Sequence, residues 1–412
     1  MTVPPYVVGI DVALREHRVA VLGPTGEAVG ASFSIAASKE GFASLVQRLH
    51  ERGAQPGQSV VGLEATGHLW ENLEAHLVGA GYHVLVLNPV QTRRFRDVLR
   101  KKAKTDDIDA YVIAGLLRSG QAEASYVPDE QIQSLRELVR LRARLTEERQ
   151  DYLRQLCAQL TVVFPEYPAV LGDLLTARAR GILQAFPTAH HLAHAQPRAI
   201  RHAAHSAGTR GFSLDDATAV RDAARRSVYS GKAIQARGHV IRTLITQIER
   251  LAVALEQLDA ALATTLPPPD ASSGPSDADL LLTLPGVGPQ TAATLLGELG
   301  PMSRFLSAKA LVAYVGFYPV IDQSGERQSR PHLSPAGPAI ARHALYLAAV
   351  NAVRRSAEWR TVFLRKKSQG KTGKQALIVV AVKLLHAAYA MLKHRAPYNA
   401  SRLLVAPARI GA

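Results

Sequence analysis

Residues 6–11 read Tyr6-Val7-Val8-Gly9-Ile10-Asp11, an apolar run that stops on an acid. A short apolar run closed by a charge predicts a buried strand whose end carries the charge out of the core. Working outward, Arg18–Leu22 and Ala28–Ile35 follow across glycine-containing turns and predict two more strands, making three antiparallel ones. Lys39–Arg52 has helical periodicity, and Ser59–Leu63 is a strand that runs into Glu64. His68–Ala80 predicts a helix, and His83–Leu87 a fifth strand closed by Asn88-Pro89.

The order β-β-β-α-β-α-β is the ribonuclease H-like α/β arrangement, in which the strands ending on Asp11 and Glu64 are neighbours. Farther on, Lys104-Thr105-Asp106-Asp107-Ile108-Asp109-Ala110 sets Asp106 and Asp109 three apart, which on a helix puts both on one face and turns Asp107 elsewhere. Any one of these acids alone reads as a strand end or a helix cap. Four converging carboxylates repel unless they share cations. Hard oxygen donors favour Mg2+ or Mn2+, and two such ions stabilise the attacking and leaving oxygens of phosphoryl transfer. Gly-Ile-Asp also opens actin-like ATPases, but those continue into a Gly-Thr phosphate loop where this chain has Ala13-Leu14.

Charge points to a polyanion. The 412-residue chain carries 49 Lys and Arg against 34 Asp and Glu, a formal net charge of +15. Neutralising phosphates releases condensed counterions and drives binding to nucleic acid. The charge is concentrated. Between Gln91 and Thr105 stand Arg93, Arg94, Arg96, Arg100, Lys101, Lys102 and Lys104 against only Asp97, leading into Asp106. A second run, Arg354, Arg355, Arg360, Arg365, Lys366, Lys367, Lys371 and Lys374, faces one acid, Glu358, and interleaves with Trp359 and Phe363. It reads either as a nucleic-acid surface with stacking groups or as a solvated basic helix with two core aromatics.

Hydrophobic residues make up 47% and aromatics 6%, which suits two or three helix-rich domains. The single cysteine, Cys157, excludes a disulfide framework and a Cys-based zinc site and fits a reducing cytoplasm. Ala376–Leu392, the most apolar stretch, is broken by Lys383 and His386 and reads as a buried amphipathic helix rather than a membrane span. Asp129–Leu160 is a long charged helix. In Gly238–Leu266 the residues Ile241, Leu244, Ile248, Leu251, Leu255, Leu258 and Leu262 alternate at three and four, a coiled-coil seam within or between chains. Between the two lies a poorly patterned helical stretch, 161–237, whose histidines (His190, His191, His194, His202, His205) have no acid or cysteine at ligand spacing. Pro267–Asp277 is a linker by composition. Leu284-Pro285-Gly286-Val287-Gly288 then opens a last domain, as a helix-hairpin-helix that could meet a phosphate or as a plain packing turn.

The blocks GIDVA, LEATG, KTDDIDA, LPGVG, LVAYVGFYP and the Gln323-Ser324-Gly325 turn occur in one order along nearly the whole chain. Together they resemble the DEDD transposases of the IS110 group of insertion sequences. The resemblance implies a RuvC-like carboxylate domain at 1–125, a helical and coiled-coil region at 126–266, a linker at 267–278 and a mostly helical C-terminal domain at 279–400. It implies recombination of DNA element ends with a target, guided by an RNA that the element encodes. It assigns Asp11, Glu64, Asp106 and Asp109 to the metal and the catalysis, and Ser324 to covalent attack on DNA. A homodimer or homotetramer, joined through the coiled coil, would complete the active centre.

The chain departs from the family where a Ser-Lys-x-Gly block is usual. Here Leu333-Ser334-Pro335-Ala336-Gly337-Pro338 precedes a helix with Arg342, and Ser334 is a second candidate nucleophile. The same residues also admit a Holliday-junction nuclease whose four acids activate water, or a non-catalytic nucleic-acid-binding relic. Intact acids at all four positions argue against the relic.

Overall fold

The computed structural model describes residues 4–99, 106–266, 274–320, 323–324, 327–328, 332–333 and 337–401, with 106, 319–320 and the three two-residue segments described as backbone only. The chain forms two compact units, Met1–Val127 and Pro128–Ala412.

The first unit holds β1 (Tyr6–Asp11), β2 (Glu16–Leu22), β3 (Phe33–Ala36), α1 (Lys39–Glu51), β4 (Ser59–Glu64), α2 (Glu71–Gly79), β5 (His83–Leu87), α3 (Pro89–Val98) and α4 (Asp106–Arg118). The strands form one sheet in the order β3-β2-β1-β4-β5. The pairs β1–β2 and β2–β3 are antiparallel, and β1–β4 and β4–β5 are parallel. This is a ribonuclease H-like α/β domain, as the strand order led one to expect, although β3 begins later than the sequence pattern suggests.

Strand alternation gives the sheet two different faces. Val8, Ile10, Val61 and Leu63 point into a core with Leu45 and Leu49 of α1 and Leu73 and Leu77 of α2, each fully buried. Burying a side chain of this size contributes about 1.5–3 kcal/mol. Val7 and Val60 point the other way, against Ile113, Ala114 and Leu117 of α4.

Among its described residues the second unit is helical apart from two short strand pairs. It begins with α5 (Glu130–Val163), α6 (Tyr167–Val170), α7 (Ala177–Ala185), α8 (Ala189–His194), α9 (Pro197–Ser206), α10 (Leu214–Arg225) and α11 (Ile234–Thr265). It continues with α12 (Asp277–Leu282), α13 (Pro289–Leu299), α14 (Ala308–Val315), β6 (Pro319–Val320), β7 (Gln323–Ser324), β8 (Arg327–Gln328), β9 (His332–Leu333), α15 (Ala339–Arg355), α16 (Ala357–Ser368) and α17 (Gly373–His394).

The long helices α5 and α11 pack on each other. Arg142 pairs with Asp259, and Arg237 donates to Gln159 at 2.8 Å, so they run antiparallel. Of the heptad face, Ile241, Leu244, Ile248, Leu255 and Leu262 are buried, and Leu251 and Leu258 are half-buried. Of the two alternatives for that seam, within or between chains, the packing of α5 on α11 takes the first.

One hydrophobic core gathers Leu156, Leu160 and Val163 of α5 and Ile241–Ile248 of α11 with the short helices α7–α10. The other gathers α12–α17 with Leu135, Val139 and Leu262. Helix α17 is long and apolar enough to cross a membrane by length and composition. Its Val380, Ala381, Leu384, Leu385, Ala388 and Leu392 instead belong to this second core. Of the compositional linker, 267–273 lies outside the described residues, and Ser276 already caps α12 by accepting from Asp279 N–H.

Candidate functional site

Gly9 of β1 and Gly62 of β4 lie directly opposite each other in the parallel register, on the face toward α4. A Cβ at Gly9 would overlap the Ala110 carbonyl oxygen and the Ala114 nitrogen. One at Gly62 would lie 2.8 Å from Leu117 and 2.9 Å from Ile113. The two missing side chains let α4 settle onto the sheet. Asp11 and Glu64 each stand two residues beyond these glycines, so alternation sends both toward the same face. Asp109 precedes Ala110 on α4 and is one helical turn from Ile113, which places its buried carboxyl on the helix side turned to the sheet. Three of the four expected acids thus project from two adjacent strand ends and the helix seated on them. The Asp106 side chain lies outside the described residues.

Helix α3 supplies these acids with partners. Asn88 caps it by accepting from Val90 N–H, and Pro89 occupies the first turn, where a missing N–H costs nothing. Phe95 docks it 3.2 Å from where a Gly115 Cβ would stand. Thr92 and Arg96, four apart, then turn inward together. Thr92 Oγ donates to Glu64 Oε2 at 2.6 Å, and one Arg96 Nη forms an ion pair with Asp109. Asp107 turns away, paired with Arg18 of β2 and accepting from Ser32 Oγ at 2.6 Å. The Ser32 hydroxyl, and after it Arg18, hold the Asp107 carboxyl below the usual carboxylate range.

Among the described residues no three His, Cys, Asp or Glu side chains are grouped to hold a metal ion. The donor chemistry nonetheless fits a hard divalent cation, because the described acids are all oxygen donors. A positive charge already stands against one of them, the Arg96 guanidinium on Asp109. The histidines of the helical stretch are tied locally: His191 to Thr188 at 2.7 Å, His194 to the His190 carbonyl at 2.7 Å, and His205 to the Phe212 carbonyl at 3.0 Å.

Of the first basic run, Arg93 and Arg94 are exposed on α3, Arg96 is half-buried, and Arg100, Lys101, Lys102 and Lys104 lie outside the described residues. The second run spans the last turn of α15 (Arg354, Arg355), α16 (Arg360, Arg365, Lys366, Lys367), the following turn (Lys371) and the start of α17 (Lys374). Among the described residues none of these eight forms an ion pair. Arg360 donates to the Val353 and Arg354 carbonyls at 3.2 and 2.7 Å, the anionic end of α15. Lys383 of α17, which in the sequence only interrupts an apolar stretch, adds to this run. Burial and then the charges of Arg365 and Lys366 lower its ammonium pKa, so it belongs to this crowded positive surface. Trp359 follows the second of the two readings, a core aromatic: it is fully buried in the C-terminal core and faces Tyr398 at 6.3 Å, so it offers no ring to a base. Phe363 is also packed against that core.

Ser324 lies in β7, where Gln323 pairs with Gln328 and Ser324 with Arg327. Ser334 lies outside the described residues. Arg342 Nη1 donates to the Val315 carbonyl at 2.9 Å and the Gly337 carbonyl at 3.4 Å, joining the two ends of the segment that bears both serines. In the Leu284–Gly288 turn, Gly286 has φ +89, and a Cβ there would overlap the Ala348 carbonyl of α15. That glycine serves helix packing.

A ribonuclease H-like sheet that presents acids at adjacent strand ends, in a strongly basic chain, defines a class of nucleic-acid phosphoryl-transfer protein. The DEDD transposase pattern of IS110 matches residues 8–165, and that of the transposase IS116/IS110/IS902 family matches residues 278–364. A Streptomyces coelicolor mini-circle protein assigned as the transposase for IS117 is 30% identical over 77% of this chain and 77% of its own length. The pilin gene-inverting protein of Moraxella bovis is 35% identical over 30% of this chain and 38% of its own. Among solved structures, T. thermophilus RuvC in complex with a Holliday junction substrate is similar, with 18% identity and a TM-score of 0.22, covering 29% of this chain and 99% of that one. The chain belongs to the IS116/IS110/IS902 family of transposases and is a DNA transposase or recombinase.

Proposed function

We propose that this enzyme cleaves and exchanges DNA strands between the ends of an insertion element and a target, through a covalent serine–DNA intermediate. The observation that supports the reading is that Asp11 and Glu64, each two residues beyond the paired Gly9 and Gly62, turn to the sheet face on which α4 and its Asp109 are seated. Asp106, one turn before Asp109, completes the set. A bound Mg2+ or Mn2+ would supply charge neutralisation at the phosphate and at the leaving oxygen. Thr92 and Arg96 orient two of the acids. Ser324 is the nucleophile: its Oγ loses its proton and forms the ester to phosphorus, while the bond to the leaving strand's oxygen breaks and that oxygen takes up a proton. The two basic runs hold the phosphate backbone. The family resemblance supports guidance by an RNA that the element encodes, and a homodimer or homotetramer in which one subunit's carboxylates meet the partner subunit's serine.

The test is a denaturing gel of the purified protein incubated with end-bearing DNA and Mg2+. A protein–DNA adduct is expected, absent in Ser324→Ala and in Asp11→Asn. An adduct that persists in Ser324→Ala and vanishes in Ser334→Ala moves the nucleophile to Ser334. Cleavage of a four-way junction with no adduct in any variant establishes the water-activating nuclease instead.

A further inference from the structure

We propose that Arg96 is a stand-in cation for the carboxylate site. It neutralises Asp109 in the free protein, yields it to the divalent ion, and then takes a phosphate of the bound nucleic acid. The inference rests on the metal reading above.

Three observations carry it. First, Asp109 is 8% exposed, and a carboxylate this buried needs a positive partner. Arg96 supplies it from a different helix. Second, the pair is made by one arm. Among the described contacts Arg96 meets Asp109 through one Nη, and the Arg96 Nε is buried with no hydrogen-bond partner. Two bridges that join helices of the second unit use both arms, while Arg180–Glu249 and Arg395–Asp277 use one. Arg140 uses Nε at 2.7 Å and Nη2 at 3.3 Å on Glu298, and Arg142 uses Nε and Nη2 on Asp259. An unsatisfied buried Nε offsets part of the pair's stability, so this guanidinium gains by moving to a partner that takes its full fork. A phosphate is such a partner. Third, Arg96 retains 19% side-chain exposure and stands on the helix that carries exposed Arg93 and Arg94, where a backbone phosphate would lie. The two ligands of the site are therefore coupled. The metal must displace Arg96 from Asp109, and nucleic acid draws Arg96 away, so each strengthens the other.

Mn2+ binding to the full chain, followed by the electron paramagnetic resonance signal of the free ion, tests this without any turnover. Removing the competing charge in Arg96→Gln should tighten Mn2+ binding about tenfold in the absence of DNA. A short DNA duplex should tighten binding to the wild type and leave Arg96→Gln unchanged. Arg96→Met, which keeps the packed stem, should behave as Arg96→Gln and carries the test if the glutamine variant does not fold. Equal or weaker Mn2+ binding in both variants, or the same tightening by DNA in wild type and variants, overturns the proposal. If Asp109→Asn abolishes wild-type Mn2+ binding while the Arg96 variants match the wild type, the metal reading stands and the exchange fails. If the wild type binds no Mn2+ with or without DNA, both fail.

Discussion

Thr92 Oγ stands 2.6 Å from Glu64 Oε2 and 3.0 Å from the Pro89 carbonyl, so a single buried hydroxyl links the first turn of α3 to the end of β4. A hydrogen bond to a charged group contributes about 1.5–3 kcal/mol. Thr92→Val keeps the shape and removes the donor. Single-turnover strand cleavage should fall about tenfold, and Thr92→Ser should restore most of it. Full activity in Thr92→Val would show that Glu64 needs no such guide.

The contact of α4 with the sheet predicts a stability effect without chemistry. Gly9→Ala places a Cβ against the Ala110 carbonyl and the Ala114 nitrogen, both backbone and unable to yield. Overpacking of this kind costs about 1–3 kcal/mol. Urea unfolding should show the loss. Gly211→Ala is the control, because nothing lies within 4 Å of a Cβ there and its backbone is outside the left-handed region.

His17 predicts a pH dependence. It is 2% exposed, its Nδ1 accepts from Ala13 N–H at 3.2 Å, and its Nε2 is buried without a hydrogen-bond partner. Burial lowers its pKa below the ordinary 6.5. Between the folded value and 6.5 the unfolded chain binds more protons, so stability falls as pH drops through 6.5. The slope from this one group is at most about 1.4 kcal/mol per pH unit. Unfolding free energies measured across that window should show a shallower slope in His17→Gln. An identical slope would assign the effect to other groups.

The second basic run predicts a salt signature. If Arg365, Lys366 and Lys367 contact phosphates, the triple glutamine variant should flatten the plot of log affinity against log salt by about 0.9 per charge removed. An unchanged slope would make this surface a solvated face.

Much of the site could be read from two parallel signals. Gly9-Ile10-Asp11 and Gly62-Leu63-Glu64 share one spacing, a glycine two residues before an acid at a strand end, and strand alternation alone puts glycine and acid on one face. The seat for α4 and the level of the acids follow from that spacing. Thr92 and Arg96 were also within reach, since residues four apart on a helix share a face. The basic composition around them reads instead as a surface for phosphate, which hides an inward role for Arg96. The role of Trp359 was not legible, because an aromatic among arginines looks alike whether it faces solvent or core. Only the packing of α15, α16 and α17 decides that. The heptad seam had the same ambiguity: its spacing asks for a partner helix and says nothing about which chain provides it.

The antiparallel pairing of α5 and α11 fixes the distance between the two cores of the second unit. Leu135 belongs to one core and Leu160 to the other, 25 residues apart on α5, or about 38 Å of helix. One residue deleted from α5 between them would shorten that span by about 1.5 Å and rotate one core against the other by about 100°, while α11 would still demand the original phase. Length changes in this rod are therefore tolerated only when both helices change together and by nearly whole turns, so the span behaves as a gauge that drifts in steps and never continuously.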